Sequence, residues 1–286
     1  MKTKKLIVLA GPTAVGKTNI SIEIAKEFNS EIISCDGRQF YKELNIGVAK
    51  PTPQQLRSVK HHFINHISIK KKYTVGDYEK ECLKKLELLF NKHDILFLVG
   101  GSGLYIDAIC EGLHKFPVIN DNIRKELEIE LKNKGINYLN QQLEEVDPET
   151  YNTIDKNNPR RIIRALEVFK SSQKPYSYYK KKKKPIRKFK TLFIALNQNR
   201  STLYKEINNR TEKMIQNGLV EEVEKLYKHK DLKALQTIGY NEVFKYIEKK
   251  YSLENTINEI KKNTRRYAKR QITWFKHEKY IHYHIS

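Results

Sequence analysis

Cysteine is scarce in this chain of 286 residues: Cys35, Cys82 and Cys110 lie far apart, with no CxxC or CxxH spacing. That argues against a disulfide framework or a thiol-built zinc site and leaves reduced, partly buried side chains. Long apolar runs are lacking as well. Nothing approaches the roughly 20 residues of a membrane span, and residues 6–10 are too short for a signal-peptide core, so a cytoplasmic protein with no membrane attachment is expected. Acidic residues are outnumbered: 33 Asp and Glu against 55 Lys and Arg give a formal net charge of +22, while 39% of residues are hydrophobic. A foldable core of one large or two smaller domains thus carries a surface that attracts polyanions, nucleic acid before an anionic membrane. A compositional bias of the genome toward Lys, Asn, Ile and Tyr would leave the same mark.

What is present begins with short apolar runs alternating with helical periodicity. Residues 6–10 read as a buried strand, followed by a glycine-bearing turn and a helix with Ile20, Ile24 and Phe28 on one stripe. Residues 31–35 and 95–99 read as further strands, and Tyr78, Cys82, Leu86, Leu89 and Phe90 recur at helical spacing between them. This rhythm predicts an α/β fold with a P-loop NTPase-like parallel sheet core. From about residue 113 to 189 strand signals vanish. Helical patterns at 122–134, 136–146 and 158–171 predict a small all-helical domain inserted between core segments 1–112 and 190–286. The lysine run 180–184 reads as a solvated linker, residues 192–196 resume the sheet, and a long basic helix covers about 253–277.

Residues 11–18, GPTAVGKT, match GxxxxGK[ST] between a buried strand and an amphipathic helix, the context this phosphate loop requires. The backbone N–H groups of Gly11, Thr13, Ala14, Val15 and Gly16, with Pro12 as a turn former that has none, join the helix N-terminus in a cradle for a di- or triphosphate. Lys17 neutralises the terminal phosphate and Thr18 ligates Mg²⁺. Residues 95–99 run into Gly100-Gly101 without the carboxylate that usually organises that ion. Asp36, after the second strand, is expected at the end of a strand adjacent in the sheet to the loop, placed to accept a proton from a nucleophile. An Asp that merely caps the next helix remains an alternative.

These residues and five further segments carry a resemblance. Residues 36–51, 99–105, 158–168, 238–240 and 269–275 are, in order, similar to the tRNA dimethylallyltransferase family. The resemblance implies transfer of a prenyl group from dimethylallyl diphosphate to the exocyclic amine of the adenine 3′ of the anticodon, with Mg²⁺ and release of pyrophosphate. It implies that Asp36, Thr13 and Lys17 are catalytic and that Arg210 joins the loop in binding diphosphate. It places tRNA contacts on Asp36, Gly37, Arg38, Gln39, Ser102, Arg124, Arg160, Arg161, Ile162, Ile163, Arg164, Gln236, Gly239 and Tyr240. The adenine is expected to be flipped into a channel opposite the prenyl donor. One departure stands out, since the family usually has Ser where this chain has Gly37.

Helical spacing puts Arg160, Arg161 and Arg164 opposite Ile162, Leu166 and Phe169, and Arg265, Arg266, Lys269 and Arg270 form a second basic stripe suited to phosphates or merely solvated. The His61-His62 pair has no ligand spacing and reads as structural. A P-loop kinase of a nucleotide or small metabolite, and an RNA-binding module with a vestigial loop, are the competing readings. The partners expected are tRNA and dimethylallyl diphosphate, on a monomeric enzyme.

Overall fold

A computed structural model describes residues 3–285 and separates two compact units, one running to Cys110 and resuming at Arg187, the other spanning Glu111–Ile186. The first unit begins with β1 (Lys5–Ala10), α1 (Lys17–Glu27), β2 (Ile32–Ser34), α2 (Pro53–Ser58), β3 (His61–His62), α3 (Val75–Phe90), β4 (Ile95–Gly100) and α4 (Gly103–Cys110). The second unit holds α5 (Asp121–Val146), α6 (Pro148–Thr153), α7 (Pro159–Ser172) and α8 (Tyr176–Lys180). The first then resumes with β5 (Lys190–Asn197), α9 (Arg200–Gln216), α10 (Leu219–Leu226), α11 (Tyr240–Ile247), α12 (Leu253–Phe275) and β6 (Ile281–His284).

All pairings in the sheet are parallel, in the order β3-β2-β4-β1-β5-β6. Both faces are covered, as parallel sheets require. Leu6, Val8 and Ala10 of β1 join Leu96 and Leu98 of β4 in one core, while Leu9 packs with Ile22 and Ala25 of α1 and Phe97 in the other. The alternation follows from the two-residue side-chain period of a strand.

One sequence expectation fails here. Asp36 does not end a strand adjacent to that of the phosphate loop, because β4 lies between β1 and β2. Distance along the chain carries no information about which strand inserts between two others. The consequence is softened by glycine: β4 stops at Gly100 and Gly101 follows, so the end of the intervening strand carries no side chain. Neither glycine could carry one, since a Cβ on Gly100 would lie 2.5 Å from Cys35 Sγ and one on Gly101 2.1 Å from Gln271 Nε2.

In the helical unit, Leu127, Leu139 and Leu143 of α5 pack on Ile162, Ile163, Ala165 and Leu166 of α7. α5 is kinked at Gly135, whose φ of 79° and ψ of 176° leave helical geometry, so the two periodic stretches read from the sequence meet at that glycine. α7 starts where Asn158 caps it through the Arg161 amide and Pro159 supplies a first-turn residue that needs no N–H partner.

Candidate active site

The loop after β1 takes its shape from backbone angles. Gly11 has φ 147° and could not accept a side chain, because a Cβ would sit 2.7 Å from the Leu196 carbonyl oxygen. Ala14 (φ 70°) and Gly16 (φ 90°) are left-handed, and such a winding turns N–H groups toward a common concavity, as anion-binding nests do. The Thr13 N–H expected in that cradle donates instead to Gln271 Oε1 at 2.9 Å. Val15 is buried in the core and anchors the turn, and α1 begins directly at Lys17. The positive end of the helix is therefore added to the amides of the loop.

Lys17 donates to the carbonyls of Gly11 at 2.9 Å and Pro12 at 2.7 Å. Its pKa is lowered to about 8, chiefly by burial, with Asp36 opposing the shift and Arg210 adding to it. Arg210, on α9, is also lowered by burial and supported by Asp36, and its guanidinium donates to Thr13 Oγ1 at 2.6 Å. Two cations and one carboxylate thus share one electrostatic neighbourhood. A single cavity is lined by Lys17, Thr18, Ser34, Asp36, Gln39 and Gly100, so the acid opens onto the same space as the loop.

Asp36 is oriented from its own segment. Its Oδ1 accepts the Arg38 amide at 3.0 Å, and its carbonyl accepts the Gln39 amide at 3.1 Å, so the carboxylate does cap the turn that follows. Capping one N–H leaves the other carboxylate oxygen available for chemistry. Gln39 lines the cavity and donates to the Ala49 carbonyl at 3.1 Å. At Gly37 a Cβ would lie 3.1 Å from the Tyr105 ring and hydroxyl, so the tyrosine occupies the space that a serine side chain here would need. Ser102 bonds the hydroxyl of Tyr267 on α12, whose pKa burial and Asp36 push up to about 12.

Other residues proposed from sequence have different surroundings. The Arg38 guanidinium donates to the carbonyls of Lys233, Ala234 and Gln236, fastening that loop to the turn after β2. Tyr240 is fully buried, with its hydroxyl on Glu222, which also accepts the amides of Ile46 and Gly47. A buried ring has no face to offer an RNA, and its work is to join the 45–47 and 238–240 segments. Gly239, at φ 93°, makes the turn into α11 through its amide bond to Glu242, while Gln236 is exposed.

Within the helical unit, Arg160 and Arg161 are exposed. Arg124 and Arg164 each lie 3.3 Å from opposite oxygens of the buried Glu167 carboxylate. Ile162 and Ile163 are in the core of that unit, so their side chains hold α7 in place rather than face solvent. The burial of Ile163 follows from the breadth of the apolar stripe on α7, wider than one side chain per turn.

Nothing in the sequence alone assigns a role to Gln271, Tyr267, Tyr105 or Glu222. For Gln271 a signal existed: on α12 it continues the buried stripe of Ile260, Thr264, Ala268 and Phe275, and a buried side-chain amide needs hydrogen-bond partners.

The profile of the family described as IPP transferase matches residues 39–278 of the chain, starting just beyond Asp36 and the phosphate loop. A protein named tRNA dimethylallyltransferase from Christiangramia forsetii is 51% identical over 271 residues, spanning 95% of this chain and 90% of that protein. One of the same name from Flavobacterium johnsoniae is 50% identical over 279 residues, spanning 96% and 90%. Among solved structures, the tRNA isopentenylpyrophosphate transferase of Bacillus halodurans superposes with a TM-score of 0.72 at 35% identity, over 98% of this chain and 90% of that one. A eukaryotic dimethylallyltransferase described as acting on tRNA gives a TM-score of 0.78 at 30% identity, over 96% and 70%. From the glycine-walled cavity beside the phosphate loop to the extent of these matches, the observations agree that the chain belongs to the IPP transferase family.

Proposed function

We propose that this chain transfers a dimethylallyl group from dimethylallyl diphosphate to the exocyclic amine of the adenine 3′ of the anticodon in tRNA, releasing pyrophosphate. The observation that carries this reading is the convergence of Lys17, Thr18 and Asp36 on one cavity. A loop that grips a diphosphate and a carboxylate that opens onto the same cavity suit a reaction in which the leaving group and the nucleophile meet at one carbon.

In this reaction the amine nitrogen forms a bond to the allylic carbon as that carbon's bond to the diphosphate oxygen breaks, and the electron pair leaves with pyrophosphate. Asp36 takes the proton from the nitrogen. Lys17 gives two hydrogens to loop carbonyls and keeps its third for a diphosphate oxygen. Thr13 accepts from Arg210, which leaves its own hydroxyl hydrogen for the departing oxygen. Among the described residues no three carboxylate, imidazole or thiol groups gather as a metal cluster. Thr18, on the cavity wall, would therefore hold Mg²⁺ together with the diphosphate oxygens, a ligand set that suits this ion. When bound, Mg²⁺ supplies charge neutralisation to the leaving diphosphate.

The flipped adenine is assigned to the Asp36 and Gln39 side of the cavity, with Gly37 and Ser102 as further contacts, residues 1–112 and 190–286 carrying the chemistry and 113–189 gripping tRNA. Among the described residues no helix is long and apolar enough to cross a membrane. A cytoplasmic, monomeric enzyme completes the reading.

The test is pyrophosphate release from dimethylallyl diphosphate. Release that requires unmodified tRNA is expected, and tRNA-independent release, or transfer of the terminal phosphate of ATP to an acceptor, contradicts the proposal. The tRNA surface is tested separately. Because Arg164 is paired with buried Glu167, the exposed pair is the better probe. Arg160→Gln/Arg161→Gln is expected to weaken tRNA binding and reduce the slope of log K against log salt by roughly 1.5, since each phosphate no longer neutralised takes about 0.7–0.9 from it. An unchanged slope in filter binding removes both residues from the footprint.

A further inference from the structure

We infer that Gln271 is a positioning residue for departure of the diphosphate, acting through Thr13; this rests on the reading of the site given above. Gln271 is 5% exposed, and both ends of its side-chain amide are engaged. Its Oε1 accepts the Thr13 amide at 2.9 Å, and its Nε2 donates to the Gly101 carbonyl at 2.8 Å. One side chain of α12 thus bridges the loop after β1 and the turn after β4, which leave the sheet side by side, with Ala10 in register with Gly100.

Thr13 is the residue that this bridge defines. α12 holds its amide through Gln271, and α9 holds its hydroxyl through Arg210 at 2.6 Å. The next residue, Ala14, sits at φ 70°, a conformation that a non-glycine residue keeps only when its surroundings impose it. With amide and hydroxyl both anchored, the direction of the one remaining Thr13 hydrogen is set before substrate arrives. Preorganisation of this kind acts on the rate of the chemical step rather than on affinity. A glutamine is suited to the task because its two ends are an acceptor and a donor in fixed opposition, whereas Glu cannot donate to the Gly101 carbonyl and Met can do neither. Gly101 is matched to it, since a Cβ there would lie 2.1 Å from Nε2.

The experiment is a double-mutant cycle on the full-length enzyme, with Gln271→Met and Thr13→Val made singly and together. Single-turnover transfer is read at saturating dimethylallyl diphosphate and tRNA, alongside the Kd for the diphosphate and the melting temperature. Gln271→Met is expected to slow transfer by about 10- to 100-fold with Kd for the diphosphate little changed. In the Thr13→Val background, where no hydroxyl remains to be aimed, the same substitution should cost less than about 2-fold. Rate reductions that multiply across the cycle, or a Kd that weakens as much as the rate falls, overturn the inference and leave the site reading standing. A Thr13→Val enzyme of undiminished rate overturns the role given to Thr13, and the inference with it. Should Gln271→Met not fold, Gln271→Asn, whose amide is one methylene too short to span the Thr13 amide and the Gly101 carbonyl, is taken through the same cycle with the same criteria.

Discussion

Asp36→Asn is expected to lower the single-turnover rate of transfer by about 10²- to 10⁴-fold, the range over which a positioned general base contributes. Asparagine keeps the acceptor for the Arg38 amide, at 3.0 Å in the parent, so the turn after β2 should persist and the melting temperature should change little. The substitution removes a proton acceptor and a negative charge together, and the two effects separate by pH. Asp36 holds up the pKa of Lys17 against burial, so its loss pushes that pKa lower still. The transfer rate is therefore compared at saturating diphosphate near pH 6.5, the acidic end of the range, where loss of the Lys17 charge counts least. A variant that transfers at the parental rate under these conditions removes Asp36 from the chemistry and favours an RNA-binding module with a vestigial loop.

Lys17→Met should weaken dimethylallyl diphosphate binding by about 10- to 100-fold, corresponding to roughly 1.5–3 kcal/mol for a hydrogen bond to a charged group. The parent enzyme should show a related dependence on pH. Burial puts the Lys17 pKa at about 8 instead of 10.5, so raising the pH through 8 neutralises the amine in the folded, unliganded protein. Diphosphate affinity falls over that interval, because the anion loses its cation. The Lys17 contribution to stability runs the other way. Between about pH 8 and 10.5 the unfolded chain holds the proton and the folded chain does not, so stability rises with pH from this group. Isothermal titration and thermal melts from pH 6.5 to 9.5 measure both, and Lys17→Met should flatten both. An affinity that is independent of pH through 8 contradicts the burial of a charged amine beside the ligand.

The parts of the site legible in the sequence are those made of contiguous residues. A buried strand, a loop with glycines at 11 and 16 and a helix beginning with Lys17-Thr18 form one unit of about 20 residues, and local backbone preference carries it. Asp36 was legible as an acid ending a strand, and the breadth of the site was legible only through resemblance. The order of strands was not, because β4 reaches its place between β1 and β2 through long-range pairing. Two edge strands carry no sequence signal for a different reason. β3 has two residues, both histidine, with His62 Nε2 2.5 Å from Glu31, and every residue of β6 is exposed, so neither gives a run of buried apolar residues.

Polarity misleads in the same way as distance. Arg38, Arg124 and Arg164 read as cationic contacts for RNA, yet their guanidinium groups lie against backbone carbonyls or the buried carboxylate of Glu167. Tyr240, placed among the tRNA contacts by resemblance alone, is a buried fastener on Glu222. For Arg38, Arg124 and Tyr240 the partner lies in another element of the fold, where no local pattern marks it, whereas Arg164 meets Glu167 three residues on in its own helix. The converse holds for Gln271, where a single amide on a buried helical stripe reports a distant partner without naming it.

The central claim is that the phosphate loop releases pyrophosphate while a prenyl group passes to an RNA base held over Asp36. Its most direct test is mass analysis of nucleosides from unmodified tRNA incubated with the enzyme, Mg²⁺ and labelled dimethylallyl diphosphate. The account predicts one labelled C5H9 group on the exocyclic nitrogen of the adenosine 3′ of the anticodon, a net gain of C5H8, with an equal amount of pyrophosphate. Unlabelled nucleosides accompanied by pyrophosphate, or label at any other position, would contradict it.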